Sequence, residues 1–334
     1  MKAVGLYKYL PIDHPESLLD LEVDTPVAAG HDLLVGVKAI SVNPVDTKRR
    51  APKDLVEKAP KILGFDASGI VEAVGPEVTL FKPGDAVYYA GSVIRQGANC
   101  EFHLVDERIV GRMPANLSFA EAAAMPLTTL TAWELMFDRM GISKTGADGK
   151  NAAGKNVLIL GGAGGVGSIA IQLAKKLARL HVVASASRPE SIAWCKGLGA
   201  DETVDHTKPI EGEYDYVLCF SSSDQYWPAF PKMVKPQGKI GIIVRTVKPV
   251  DLAILHDKSI AVCLEGMFTR STFQTPDMAM QHALLDETAG LIEAGVIKGT
   301  LTQNLGKINA ASLKRAHKML EEGHVIGKLV LEGW

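Results

Sequence analysis

Residues Val157-Leu-Ile-Leu-Gly-Gly-Ala-Gly-Gly-Val-Gly167 run without a break into Ser168-Ile-Ala-Ile-Gln-Leu-Ala-Lys-Lys-Leu-Ala178. An apolar run, a glycine-rich turn and an amphipathic stretch in that order leave few folds open. Val166, Ile169, Ala170, Leu173, Ala174 and Leu177 recur at helical spacing and share one face. The run before the turn fits a buried strand. Gly162, Gly164 and Gly167 match G-x-G-x-x-G, in which the first glycine makes the tight turn and the second lets a pyrophosphate approach the backbone. The third lets helix and strand pack closely. Phosphates then meet the free N–H groups and the positive dipole end of a helix N-terminus. Gly162, Ala163, Gly164, Gly165, Val166 and Gly167 are therefore candidate dinucleotide-binding residues. A glycine loop without a ligand is the alternative, and the strand and helix that flank it argue for the nucleotide.

About twenty residues beyond such a turn, an NAD-binding chain places Asp or Glu on the ribose 2′-hydroxyl. Here the sequence reads His181-Val-Val-Ala-Ser185-Ala-Ser187-Arg188-Pro-Glu190, and the acid is missing. Ser185, Ser187 and Arg188 suit a 2′-phosphate, with hydroxyls to donate and a guanidinium to offset the charge. NADPH is the expected cofactor. Pro189 suits a first helical position, which leaves Glu190 along the helix start, where it favours the dipole.

The pattern from 154 to 268 alternates strand and helix, with strand-like runs at 156–160, 181–185, 214–220, 238–244 and 259–264. Helical or turn-rich pieces such as 189–198 and 227–234 separate them, which predicts a doubly wound parallel sheet. Residues 1–115 differ: short β-rich runs at 32–40, 68–74 and 85–89 are divided by Gly and Pro turns, as in an irregular antiparallel barrel. A helix from Ser118 to Met140 is expected to bridge the two, opened by a Ser118/Glu121 capping box. Residues 141–154 read as a surface loop. Helices near 276–294 and 310–322 and strands near 297–302 and 326–332 follow, and there is no internal repeat.

The 334 residues are 47% hydrophobic and 22% charged with a net charge of −2, so nothing marks nucleic acid or an anionic membrane as a partner. The N-terminal stretch holds no apolar core of signal-peptide length, and no apolar run approaches the roughly eighteen residues of a membrane span. A cytoplasmic address is the expectation. Cys100, Cys195, Cys219 and Cys263 form no C-x-x-C pair, which argues against a disulfide framework or a structural zinc lobe. Cys219 and Cys263 read as small core residues.

Three further segments carry a resemblance: Ala39-Ile-Ser-Val-Asn43-Pro-Val-Asp46-Thr-Lys48, Gly64-Phe-Asp-Ala-Ser-Gly-Ile-Val-Glu-Ala-Val-Gly75 and Met125-Pro-Leu-Thr128-Thr-Leu-Thr-Ala-Trp-Glu134. With the glycine turn they resemble the medium-chain dehydrogenase/reductase superfamily, in its quinone oxidoreductase branch, close to zinc-type alcohol dehydrogenase-like proteins. The resemblance implies an α/β fold: a GroES-like catalytic barrel from residues 1–125 and 270–334, around a Rossmann domain at 126–269. It also implies a homodimer or homotetramer. Thr128 would lie near the nicotinamide ribose and phosphates and His206 near the adenosine end. Phe220, Ile242, Met267 and Phe268 would border the nicotinamide.

Zinc-dependent members take ligands from C-x-x-D-x-H and G-H-E segments. Here these read Asn43-Pro-Val-Asp46-Thr-Lys48 and Gly64-Phe65-Asp66, so an amide and a phenyl ring stand where thiolate and imidazole are needed. No zinc is expected. Without a Lewis acid the substrate must accept hydride readily, and a quinone or activated enone does. Asn43 is the candidate donor to the developing oxyanion, and Lys48 the candidate proton or charge source, oriented by Asp46. Turn capping by Asn43, a structural Asp46 and a solvated Lys48 beside Arg49 and Arg50 are the plainer readings of the same residues. The leading function is hydride transfer from NADPH to a quinone or enone. The alternatives are a zinc alcohol dehydrogenase with atypical ligands and a non-enzymatic NADPH-binding protein.

Overall fold

The computed structural model describes residues 1–144 and 154–334. Most of the expected loop at 141–154 lies outside the described residues. The chain divides into one unit of Met1–Leu127 with Phe268–Trp334, and a second of Thr128–Met267.

From Met1 the first unit lays down β1 (Lys2–Tyr9), β2 (Leu19–Glu22) and β3 (Asp32–Val42), turns through α1 (Pro44–Arg50), and continues with β4 (Lys53–Ile62) and β5 (Asp66–Val74). Then come β6 (Ala86–Tyr89), β7 (Phe102–Asp106), β8 (Val110–Arg112) and α2 (Phe119–Ala123). Helix α3 (Pro126–Trp133) leads into the second unit, with β9 (Asn156–Leu160), α4 (Gly165–Gln172), β10 (His181–Ser185), α5 (Pro189–Leu198) and β11 (Glu202–Val204). It closes with β12 (Tyr214–Cys219), α6 (Phe230–Met233), β13 (Val234–Ile242) and β14 (Ala261–Leu264). The chain then rejoins the first unit through α7 (Thr269–Phe273), α8 (Met280–Glu293), β15 (Leu301–Asn304), α9 (Ala310–Glu322) and β16 (Lys328–Glu332).

In the first unit the main sheet has the order β15-β16-β3-β5-β6-β8, with β7 also paired to β3, and a smaller sheet has the order β2-β1-β4. Leu33, Val35 and Val37 of β3, Ala67 and Val71 of β5, and Leu329 and Leu331 of β16 fill the barrel with Leu313 of α9. Alternation along β3 drives this, since every second apolar side chain points inward. The register places Ser41 opposite Asp66 and Val42 opposite Leu329, so the exit of β3 is flanked by the starts of β5 and β16. Residues 53–62 form β4. Its charged, largely exposed surface hides the strand from any apolar alternation.

The bridging helix is two helices rather than one. Ser118 and Glu121 make the expected reciprocal cap, but α2 ends at Ala123 and α3 starts at Pro126. Proline lacks the N–H that would continue the ladder, and it crowds the residue before it out of the helical region.

The second unit holds a six-stranded sheet of order β11-β10-β9-β12-β13-β14, with every pairing parallel. This is the doubly wound Rossmann order, and the reversal falls between β9 and β12. Strands β9 and β10 and helix α5 occupy the expected positions. β13 begins earlier than expected, at Val234, through an irregular register beside β12. Cys219 is fully buried as expected, whereas Cys263 is half-buried because β14 is the sheet edge.

Candidate functional site

The second unit gathers its candidate residues at the carboxyl ends of the parallel strands. Leu160 ends β9, the glycine turn follows, and Gly164 caps α4, whose first-turn amides have no partner within the helix. Each glycine has a different constraint. A β-carbon on Gly167 would lie 2.2 Å from the Gly161 carbonyl oxygen, and one on Gly162 would lie 2.8 Å from Ala184 Cβ. One on Gly164 would meet nothing closer than 3.5 Å. Gly162 and Gly167 thus serve the fold, and Gly164 leaves open space above the turn. Ala163, Gly165 and Val166 are partly exposed beside it.

Ser185, at the end of β10, is buried, and its hydroxyl accepts a hydrogen bond from the Gly161 amide at 2.9 Å. Ser187 and Arg188 are half-buried just before Pro189 begins α5. The Ser191 hydroxyl receives the Arg188 amide at 3.1 Å and returns a bond to the Arg188 carbonyl at 2.8 Å. Glu190 is exposed in the first turn of α5. At the switch point Phe220 follows β12, with its amide bonded to the Leu160 carbonyl at 3.1 Å. A β-carbon on Gly161 would lie 3.6 Å from Phe220 Cβ, so this residue stands beside the glycine turn. His206 is exposed after β11. Ile242 ends β13 with its side chain in the core against the other strands, and Met267 is buried after β14. Thr128 is buried in α3.

The first unit holds a separate, fully internal polar cluster. Asn43 caps α1, and its amide donates to Asp46 Oδ2 at 2.7 Å. Asp46 Oδ1 accepts from the Gly64 amide at 3.2 Å. Gly64 has φ +97°, and a β-carbon there would collide with the Asn99 side chain, so glycine is required. The Asn43 side chain donates to Asp66 Oδ2 at 2.8 Å and to the Ser41 carbonyl at 3.4 Å. Lys328, at the start of β16, directs its ammonium to Asn43 Oδ1, to Asp66 Oδ2 at 3.0 Å and to the Val42 carbonyl at 3.1 Å. Asp66 Oδ1 accepts from the Leu127 amide at 2.8 Å, a carboxylate cap on the first turn of α3. Asn43, Asp46, Asp66 and Lys328 are each no more than 3% exposed. Burial pushes the Asp46 carboxyl up to about 7, against the pull of its backbone bonds and of the Lys328 charge.

The cluster corrects part of the sequence reading. Asn43 and Asp46 are brought together, but Lys48 is exposed and Asp46 makes no bond to it. Both amide protons of Asn43 point to Asp66 and Ser41. Phe65 packs edge-on against Phe268 with ring centroids 5.2 Å apart. Lys328 and Asp66 complete the cluster, with Lys328 reaching it from the far end of the sequence. A zinc ion does not fit here, because Phe65 has no donor atom and a lysine ammonium already occupies the oxygens of Asn43 and Asp66. Among the described residues no group of three or more His, Cys, Asp or Glu could hold a metal ion.

A GroES-like barrel joined to a Rossmann sheet with an intact glycine turn defines an oxidoreductase of the dinucleotide-binding kind. Domain models for "Alcohol dehydrogenase GroES-like domain" and "Zinc-binding dehydrogenase" match residues 29–133 and 198–331. A zinc-type alcohol dehydrogenase-like protein of Staphylococcus aureus is 43% identical over 337 residues, 99% of each chain. A 2-methylene-furan-3-one reductase of Solanum lycopersicum is 36% identical over 263 residues, 75% of this chain and 63% of that protein. A solved structure from Rhizobium etli, given there as a candidate zinc-dependent alcohol dehydrogenase, superimposes with a TM-score of 0.94 at 47% identity, covering 100% of this chain and 98% of the other. The chain belongs to the medium-chain dehydrogenase/reductase superfamily.

Proposed function

We propose that this protein is an NADPH-dependent, zinc-independent reductase of quinones or activated enones. The observation that carries this reading is the cluster around Asn43, in which the positions of metal-binding side chains hold an amide, a phenyl ring and a neighbouring ammonium. Bound NADPH supplies a hydride from its nicotinamide C4. With no Lewis acid to polarise an alcohol, the acceptor must be an electron-poor carbon whose product anion takes up a proton readily. The enone reductase among the relatives favours this substrate class.

The chain's own part is binding and orientation. The first-turn amides of α4 receive the pyrophosphate above Gly164, while Ser187 and Arg188 take the 2′-phosphate. Thr128, Phe220, Ile242, Met267 and Phe268 border the nicotinamide, and His206 the adenosine, in the same reading. We place the protein in the cytoplasm as a homodimer or homotetramer, the open edge of β14 being the natural surface for self-association. Among the described residues no helix is long and apolar enough to cross a membrane. The decisive experiment follows NADPH and NADH oxidation with quinones, enones and aldehydes, and alcohol oxidation in reverse. Turnover confined to alcohols, or lost on chelation, would refute the proposal.

A further inference from the structure

The polar cluster of the first unit resembles a coordination sphere. Three oxygens, from the Val42 backbone, the Asn43 amide and the Asp66 carboxylate, converge on one nitrogen, and that nitrogen is the Lys328 ammonium. Asn43 stands where the zinc-dependent pattern has its cysteine, and Asp66 where it has its glutamate. An ammonium has three N–H donors, and here all three are used. A lysine side chain this deeply buried is rare without a partner of opposite charge, and Asp66 supplies it.

We propose that Lys328 is the resident cation of this site, a tethered positive charge that replaces the metal ion and excludes it. Its charge holds Asp66 in place to cap the Leu127 amide at the head of α3, and it fixes the Asn43 amide between Asp66 and Ser41. Lys328 touches no open surface, so it is a positioning residue acting through Asp66 and Asn43. A divalent cation brought to the same oxygens would meet the ammonium at contact distance. Its exclusion is electrostatic as well as steric.

The proposal rests on the zinc-independent reading, and its test needs no turnover. Lys328→Ala removes three methylenes and the ammonium, a volume that n-propylammonium refills. Thermal melting of this variant should rise by about 3 °C when propylammonium is present at several times its dissociation constant. The same concentration of 1-propanol should leave it unchanged, and the parent should respond to neither. Calorimetry with zinc should show no binding to the parent. Lys328→Arg should keep more of the parent's stability than the uncharged Lys328→Met. If Lys328→Ala does not fold alone, refolding yield in propylammonium against sodium reads the same quantity. Equal effects of propylammonium and propanol, or no recovery in either salt, overturn the resident-cation proposal and leave the zinc-free reductase standing. Stoichiometric zinc in the purified parent overturns both.

Discussion

The Gly161 amide donates to the Ser185 hydroxyl across 2.9 Å, tying the exit of β9 to the exit of β10. Ser185 thereby braces the glycine turn, and Ser187 and Arg188, half-buried just before α5, remain the residues proposed for the 2′-phosphate. The two roles separate in cofactor titrations. Arg188→Ala should weaken NADPH binding roughly ten- to a hundredfold, from the loss of about 1.5–3 kcal/mol of charge-assisted bonding, and leave NADH nearly unchanged. Ser185→Ala should weaken both cofactors alike. Equal losses of the two cofactors in Arg188→Ala would remove the basis for NADPH preference.

Gly164 and Gly167 differ in what a side chain would strike, and the pair tests the turn. Gly164→Val meets only ordinary contact with Gly161, so it should fold with a near-parental melting temperature and fail to bind NADPH. Gly167→Ala drives a carbon to 2.2 Å from the Gly161 oxygen and should instead destabilise the second unit outright. Calorimetry gives the affinity and circular dichroism the fold. A folded Gly164→Val that binds NADPH like the parent would make the turn a mere connection.

Prolonged chelation should leave NADPH oxidation intact, because Asn43 and Phe65 offer no zinc ligands and Lys328 fills the space between their neighbours. Elemental analysis before and after dialysis, paired with a rate measurement, checks this. Zinc and activity lost together would count against the reading.

Asp46 makes stability depend on pH in a stated direction. Its carboxyl titrates near 3.8 when solvated and is raised by burial to about 7 in the fold. Below the lower value both states carry the proton. Between the two, the native state keeps a proton that the unfolded chain has released, so stability falls as pH rises, by roughly 1.4 kcal/mol per unit at most. Asp46→Asn should flatten the melting temperature between pH 5 and 7 while losing one backbone bond. Parallel slopes for parent and variant would show that Asp46 does not titrate there.

What was legible in the sequence was local. The β9-turn-α4 unit is readable because strand run, glycine spacing and helical periodicity adjoin, and α5 announces itself with Pro189 and ends before Gly199, which sits at φ +112°. The Asn43 cluster was only half readable. Asn43 and Asp46 share one turn, but Lys328 reaches Asn43 across 285 positions of sequence and reads there as the first residue of an apolar strand. Asp46 looked like a partner for nearby Lys48. Burial decided otherwise, since α1 turns Asp46 inward and leaves Lys48 in water.

The order of synthesis adds a constraint of its own. Strand β3 needs β16 as a neighbour, and Asp66 needs Lys328, yet the whole second unit is translated between them. At about 5–20 residues per second, the early half of the barrel waits many seconds with the Ala39–Val42 end of β3 lacking its β16 partner and Asp66 without its counter-charge. The second unit, continuous in sequence, has every strand of its sheet in hand by Leu264. The barrel that is begun first can therefore be completed only once β16, the last strand, has been made.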